Sequence, residues 1–179
     1  QYETISLSSL MSTIVTKSAS GSAIFDASHQ YRYCLTRSWS NSNNKQVTFI
    51  MLNPSKADAH KDDPTVRACV QFAKNWKYTQ LNVVNLFAFC TPQPSALKLT
   101  PKPIGVDNNR YLLASTSTAQ KVILAWGNEG IFLNRAQAVV QLLQPYRYKL
   151  YYLKRNRSGQ PCHPLYVKRT TNPRPWHTP

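Results

Sequence analysis

Apolar runs alternate with amphipathic segments along most of this chain. Four apolar runs predict buried strands: VTFIML (47–52), LNVVNLFAF (81–89), KVILAW (121–126) and YKLYYL (148–153). The segments between them, at 63–76, 106–119 and 128–143, have helical patterns. Strands that alternate with helices predict an α/β fold, with a mainly parallel four-stranded sheet covered by helices on both faces.

Shorter alternating runs precede the first of these strands. SAIF and YRYCLTRSW flank the polar segment DASHQ, a pattern that predicts an N-terminal β-hairpin. Residues 1–20 lack a basic start and a continuous apolar centre, so we interpret them as a flexible leader and not as a signal peptide. The predicted organisation is a leader at 1–20, one α/β domain at 21–167 and a basic, proline-rich tail at 168–179.

The distribution of charge favours a nucleic-acid partner. The 179 residues include 22 Lys and Arg against 7 Asp and Glu, for a net charge of +15. No acidic residue follows Glu129, but several cations do, among tyrosines: Lys154, Arg155, Arg157, Lys168 and Arg169. Cations neutralise phosphates and aromatic rings stack on bases, which is the pattern of a DNA- or RNA-binding surface. The alternative is a basic surface over ordinary core tyrosines.

Cysteine usage and hydropathy bear on compartment and cofactors. Cys34, Cys69, Cys90 and Cys162 are widely spaced and form no CxxC pair. This spacing favours free thiols in a reducing cytoplasm over a structural zinc site. No apolar run approaches the roughly 18 residues of a transmembrane helix. We expect a cytoplasmic monomer without a membrane partner, a metal or a cofactor.

Polar residues cluster where the predicted strands end. In an open α/β sheet the ligand crevice lies beyond the carboxyl ends of the strands. Asn53 follows the first buried strand, where it could orient a water or bind an amide edge, or only form a turn with Pro54. Asn85 lies in an apolar run, so it is either satisfied in the core or faces the crevice.

One loop holds three of the seven acidic residues. Asp63 is predicted to cap the helix that follows, and Asp62 favours the same helix terminus. Asp58 and His60 remain as the freer pair for acid–base or metal chemistry, although their spacing matches no metal signature. His163 lies in the acid-free region, where it is expected to stay neutral and donate a hydrogen bond to an anion. An ordinary surface or core histidine is the alternative.

Several blocks of sequence resemble known families. YRYCLTRSW, FIMLNPSKADAHKDDPTVRACVQFAKNW, LNVVNLFAFCTPQPSALK, VILAWGN and GQPCHPLYV together resemble the domain of unknown function 1643 family, from about residue 21 to 167. The order Asn-Pro, Asn, Trp-Gly and His-Pro also resembles the uracil-DNA glycosylase superfamily. That resemblance implies a three-layer α/β/α sandwich, and a metal-free enzyme that flips a base out of DNA and cuts its N-glycosidic bond.

The glycosylase resemblance implies roles for particular residues. Asn53 would position the attacking water, Asn85 would read the base edge, and His163 would stabilise the departing base. Pro54 and Phe87 would contact the base. Met51-Leu52 replace the glycine that usually opens the first motif, and HPLY lacks the usual serine-proline. A modified pyrimidine therefore fits as well as uracil. Asp58 has no counterpart and would be an added catalytic or base-reading carboxylate.

The leading expectation is a monofunctional, metal-independent DNA glycosylase that excises a uracil-like or modified pyrimidine, including from modified or phage DNA. One alternative is a catalytically inactive nucleic-acid-binding module of the same fold. Another is an N-glycosidase or transferase for free nucleosides or nucleotides, which the charge of +15 disfavours because a small substrate needs no extended basic surface. A metal-dependent hydrolase is the remaining alternative.

Overall fold

Eight strands form one sheet in the computed structural model, which describes residues 13–176. They are β1 (Thr13–Lys17), β2 (Gly21–Asp26), β3 (Arg32–Ser38), β4 (Gln46–Met51), β5 (Gln80–Asn85), β6 (Lys121–Leu124), β7 (Leu150–Tyr152) and β8 (Arg174–Pro175). Their order across the sheet is β1-β2-β3-β5-β4-β6-β7-β8. The central strands β5, β4, β6 and β7 run parallel, and the four outer pairings are antiparallel.

Helices cover both faces of the central sheet. They are α1 (Pro64–Asn75), α2 (Asn108–Thr118) and α3 (Arg135–Leu142). Successive side chains of a strand point to opposite faces, so the apolar run of β4 serves two cores. Val47 and Phe49 pack with α1, whereas Ile50 packs with α2 and α3. Burial on both faces is the reason that the parallel strands are continuous apolar runs.

The α/β class is confirmed, but the predicted four-stranded sheet is wrong. The four predicted strands are the parallel β4 to β7, and other strands extend the sheet at both edges. The predicted hairpin forms β2 and β3, and it joins the main sheet because β3 pairs with β5, with Leu35 opposite Val83. β1 lies within the predicted leader, whose residues 1–12 are outside the described part of the chain. β8 lies within the predicted tail.

The segment predicted as one helix at 128–143 is divided in two. A 3-10 turn at Asn128–Asn134 is followed by α3. Leu133 and Asn134 both have a φ of +53°, which ends the first turn before the helix starts. The ring of Phe132, which is in extended conformation, lies 5.5 Å from the ring of Phe87. Apolar contact with the core thus replaces a regular helical turn here.

The strand order places a switch point at the centre of the sheet. β4 and β6 are direct neighbours, but the chain leaves β4 through α1 for β5 on one side. From β6 it passes through α3 to β7 on the other side. The loops that follow β4 and β6 therefore diverge and leave a crevice between them.

Candidate functional site

A cavity of about 430 Å³ opens at this switch point. Asn53 and Pro54 reach it from the end of β4, and Asn85 reaches it from the end of β5. Gly127 follows β6, and His163 lies in the segment after β7. The structure thus brings together four of the residues predicted from the sequence, namely Asn53, Pro54, Asn85 and His163.

Asn85 is buried in the cavity wall, and its side chain has no hydrogen-bond partner in the part of the chain that the structure describes. The residue is 1% exposed, and neither Nδ2 nor Oδ1 has a partner within residues 13–176. Its backbone is held in place, because Asn108 Nδ2 donates to the Asn85 carbonyl oxygen at 2.9 Å. A buried unpaired amide is unfavourable by about 1–3 kcal/mol for each unmade hydrogen bond. A ligand with a donor and an acceptor would remove this unfavourable term.

The amide of Asn53 is fixed in one orientation. Its Nδ2 donates to the carbonyl oxygens of Pro54, at 3.0 Å, and Thr91, at 2.9 Å. Since both partners are acceptors, the amide cannot be flipped without losing both bonds. Oδ1 accepts no hydrogen bond from the part of the chain that the structure describes. Asn53 therefore offers an acceptor to a ligand or a water.

The surroundings of His163 favour a neutral ring with its proton on Nε2. Its Nδ1 accepts a hydrogen bond from the backbone N–H of Leu165 at 3.2 Å, so the proton of the neutral ring is on the other nitrogen. Burial lowers the pKa of His163, and the nearby carboxylate of Asp63 opposes this shift only in part. In the neutral ring, Nε2–H is the group that can donate a hydrogen bond.

Two carboxylates line the cavity: Glu129 lies 3.4 Å from Lys98 Nζ, whereas Asp63 has no ion-pair partner within residues 13–176. Its Oδ1 accepts from Val66 N–H at 2.8 Å, which confirms the predicted helix cap. Its Oδ2 accepts no hydrogen bond within residues 13–176. Sequence reasoning assigned this side chain to the cap alone, although capping occupies one of its two oxygens. That second oxygen was the signal that could have identified Asp63 as a site residue.

Asp58 lies outside the cavity lining and organises a turn. Its Oδ1 accepts from the backbone N–H groups of His60 and Lys61, each at 2.8 Å. The His60 hydrogen bond is the main reason that the pKa of Asp58 is lowered. The structure therefore gives Asp58 a local role in the backbone of the loop, and not the position at the cavity that the sequence predicted.

Asp62 has a structural role in the same loop, because it forms an ion pair with Arg37. Arg37 Nε lies 2.8 Å from Asp62 Oδ1, and Arg37 Nη2 donates to the carbonyl oxygens of Asp58 and Lys61. One buried guanidinium group thus holds the loop against β3. Of the three clustered acids, two fix the loop and one reaches the cavity.

Arg32 also lines the cavity, and sequence reasoning missed it. The residue is 3% exposed, although it belongs to the apolar-flanked run YRYCL of β3. Nη1 donates to the Ala57 carbonyl oxygen at 2.9 Å, and Nε has no partner in the described part of the chain. A cation within an otherwise apolar strand was the signal in the sequence.

Phe87 was predicted to contact the base, but it does not line the cavity. Phe87 is fully buried in the core against Phe132 and is not part of the cavity wall. Tyr166 lines the cavity instead, is 79% exposed, and has its ring 5.9 Å from the ring of His163. An exposed ring at a cavity mouth is suited to stacking on a flat ligand.

A second cavity, of about 560 Å³, adjoins the first. The two share Gly127, Asn128, His163 and Tyr166, and the second is also lined by Lys154, Arg155 and Arg157. We call this second cavity the basic groove. Lys154 and Arg157 are exposed in it. Their charges therefore lie next to the cavity and face solvent.

The other predicted DNA-binding cations have different surroundings. Arg155 stacks on the ring of Trp176 at 3.8 Å and on that of Tyr152 at 4.8 Å. Arg169 Nη1 donates to the carbonyl oxygens of Pro164 and Val167. These hydrogen bonds hold the segment that follows His163 in its conformation. Lys168 is exposed but does not line the groove. Arg155 and Arg169 thus have clear structural contacts.

Three general features of the described chain bear on metal binding, membrane insertion and cysteine chemistry. Within residues 13–176, no group of three or more His, Cys, Asp or Glu side chains is arranged to hold a metal ion. None of the helices described there is long and apolar enough to span a membrane. The four cysteines are free thiols, and Cys34, Cys69 and Cys162 are buried.

Comparison with known proteins gives a family but no function. No curated protein and no solved structure matches the chain, so the resemblance to uracil-DNA glycosylases gains no support from this source. The family described as "Protein of unknown function (DUF1643)" matches residues 32–165, about three quarters of the chain. The matched segment contains Arg32, Asn53, Asp63, Asn85 and His163. The chain therefore belongs to the DUF1643 family.

Proposed function

We propose that this protein is a DNA glycosylase that takes a uracil-like or modified pyrimidine into the cavity and hydrolyses its N-glycosidic bond. The observation that carries the proposal is the unpartnered amide of Asn85 in the cavity wall. A pyrimidine edge presents a hydrogen-bond donor beside an acceptor, which an amide complements. The cavity volume of about 430 Å³ is within the usual range for small-ligand sites.

The polar groups match the charges that develop as the bond breaks. The oxygen of water attacks the anomeric carbon, and the electron pair of the C–N bond leaves with the base. Nε2–H of His163 donates to the base anion. Asn53 Oδ1 accepts from the attacking water, and Asp63 takes a proton from it and stabilises positive charge on the sugar. The departing base is finally protonated from solvent.

The basic groove supports a polymeric substrate. Flipping a base out of the stack is unfavourable by a few kcal/mol. Lys154 and Arg157 would offset this through phosphate contacts, and Tyr166 would stack at the mouth of the cavity. A free nucleoside would use neither feature, so the groove favours DNA over a small substrate.

Base release from DNA tests the proposal. Oligonucleotides with uracil, or with modified cytosines or thymines, would be incubated with the protein without added metal, and abasic sites scored by alkaline cleavage. We expect release by the native protein and a loss of about 100-fold or more in Asn85→Ala and His163→Ala. Asp58→Asn, outside the cavity, is the matched control and should retain activity.

Two other outcomes would reject the proposal. Equal release by native protein and both cavity variants would place the chemistry elsewhere. Absence of release from every substrate, with salt-sensitive DNA binding retained, would instead identify a nucleic-acid-binding module without catalysis.

A further inference from the structure

Strand β3 carries two buried arginines with opposite surroundings. Every nitrogen of the Arg37 guanidinium group donates: Nε to Asp62, Nη1 to the Thr36 carbonyl oxygen, and Nη2 to carbonyl oxygens of the acidic loop. Within the described residues, Arg32 makes one side-chain hydrogen bond, from Nη1 to the Ala57 carbonyl oxygen, and its buried Nε has no partner. The two arginines are therefore an internal comparison of a satisfied and an unsatisfied buried cation.

Within residues 13–176, no carboxylate forms an ion pair with Arg32. The ion pairs found within residues 13–176 are Arg37–Asp62 and Lys98–Glu129. Burial is the main cause that lowers the pKa of Arg32, but an arginine side chain keeps its charge at neutral pH. The carboxylate of Asp63, in the wall of the same cavity, offsets the effect of burial only in part and forms no ion pair with Arg32. A buried cation without an ion-pair partner is strongly unfavourable. Arg32 lies in the wall of the same cavity as Asn85, so an anionic ligand in that cavity would compensate its charge.

We propose that Arg32 forms an anion subsite in the cavity, and that the natural ligand carries a carboxylate or phosphate group beside the edge bound by Asn85. A guanidinium group presents N–H donors in a planar fork that matches the oxygens of either group. The oxyanion would come from an acidic substituent on the pyrimidine ring or from the phosphate of a nucleotide. This subsite concerns the ligand of the proposed glycosylase site, but it is tested by binding and is independent of bond cleavage.

Matched pairs of small ligands test the subsite on the full chain. Orotate and uracil share a pyrimidine ring, and only orotate carries a carboxylate. Deoxyuridine 5′-monophosphate and deoxyuridine differ by the phosphate. We expect the charged member of at least one pair to raise the Tm more than its neutral partner at equal concentration. A response to orotate assigns a carboxylate on the ring, and a response to the nucleotide alone assigns a phosphate.

Substitution of each buried arginine separates binding from folding. Arg32→Met should weaken binding of the preferred anion by about 10- to 100-fold, the effect of losing a hydrogen bond to a charged group. It should leave the unliganded Tm at or above that of the native protein, because an unpaired buried charge is removed. Arg37→Met, the matched control, should lower the Tm and retain the preference for the charged ligand.

Three results would overturn the subsite. One is an equal Tm shift with the charged and neutral members of both pairs. Another is the absence of a shift with all four ligands. The third is an Arg32→Met protein with a Tm lowered as in Arg37→Met and an unchanged preference for the anion. If either variant fails to fold, the ligand pairs still decide the question on the native protein. Base release from DNA could fail while the anion preference holds, so the two proposals are separable.

Discussion

At the scale of single residues, the site depends on where His163 holds its proton. The Leu165 N–H group donates to Nδ1, and burial lowers the pKa, so both effects favour the neutral imidazole with a proton on Nε2. A neutral imidazole can stabilise a departing anion through its Nε2–H hydrogen bond, without a change in its own protonation state. This charge state has a consequence for folding that can be measured without any substrate.

We predict that His163 makes stability fall as the pH is lowered. An unfolded histidine titrates near pH 6.5, and the folded pKa of His163 lies below its ordinary value. Between these two pKa values the unfolded chain binds more protons, so the free energy of unfolding rises with pH. Urea denaturation between about pH 5 and 8 should show this slope in the native protein. His163→Gln should flatten it, because the group that is held neutral in the folded chain is removed. An unchanged slope in His163→Gln would show that the ring is not held neutral.

Asp63 combines a structural and a chemical role that two substitutions can separate. In Asp63→Asn the side-chain oxygen can still cap α1, so stability should change little while base release falls by about 100-fold. In Asp63→Ala the cap is lost as well, which should lower the free energy of unfolding by about 1 kcal/mol. Urea denaturation and abasic-site formation measure the two effects. Full activity in Asp63→Asn would show that Asp63 only caps α1 and takes no part in the reaction.

At the scale of elements, the turn after β6 forms one wall of the cavity. Gly127 has a φ of +77° and a ψ of −172°, a conformation open almost only to glycine, and its N–H donates to Pro161 at 2.8 Å. An added Cβ would lie 4.0 Å from the Cβ of His163, so space is available and the backbone is the constraint.

We therefore predict that Gly127→Ala lowers the free energy of unfolding by about 1–3 kcal/mol and disturbs the cavity. Gly159→Ala is the matched control, since Gly159 has a φ of +85° and lines neither the cavity nor the basic groove. Both variants should lose stability in thermal denaturation. Only Gly127→Ala should lose base release per folded molecule. Equal activity per folded molecule in both variants would show that the turn at Gly127 is not part of the functional site.

Elements buried on both faces could be predicted from the sequence, and edge elements could not. The apolar runs of β4 to β7 and the Asp63-Pro64 start of α1 have clear physical signatures. β1 and β8 are short and contain no fully buried residue, so no apolar run marks them. Phe87 was placed at the base by the glycosylase resemblance, whereas it lies beyond the end of β5 and packs in the core against Phe132.

The site was predictable where it follows the parallel strands. Asn53, Asn85 and His163 come together because the carboxyl ends of those strands meet at one edge of the sheet. Arg32 reaches the same cavity only because the hairpin pairs with β5, a contact between segments about 50 residues apart that no local pattern encodes. The second oxygen of Asp63 required the actual cap geometry.

At the scale of the whole molecule, basic residues occur at both ends of the parallel sheet. Lys154 and Arg157 line the basic groove beyond the carboxyl end of β7. Lys45 and Arg147 are also exposed, but they precede the amino ends of β4 and β7. A net charge of +15 attracts DNA to any face. Specific engagement at the cavity requires that the groove, and not the opposite end, contacts phosphates.

This distinction predicts different salt dependence for two double variants of equal charge. Each phosphate contact contributes about −0.9 to the slope of log K against log salt concentration on duplex DNA. Lys154→Ala with Arg157→Ala should therefore reduce the magnitude of the slope by about 2. Lys45→Ala with Arg147→Ala should leave it nearly unchanged, because those side chains would not contact phosphates in the bound complex. Fluorescence anisotropy of a labelled duplex across a series of salt concentrations measures both slopes. Equal changes would mean that DNA is held by overall charge rather than by the groove, and the cavity would then have no preferred access to a flipped base.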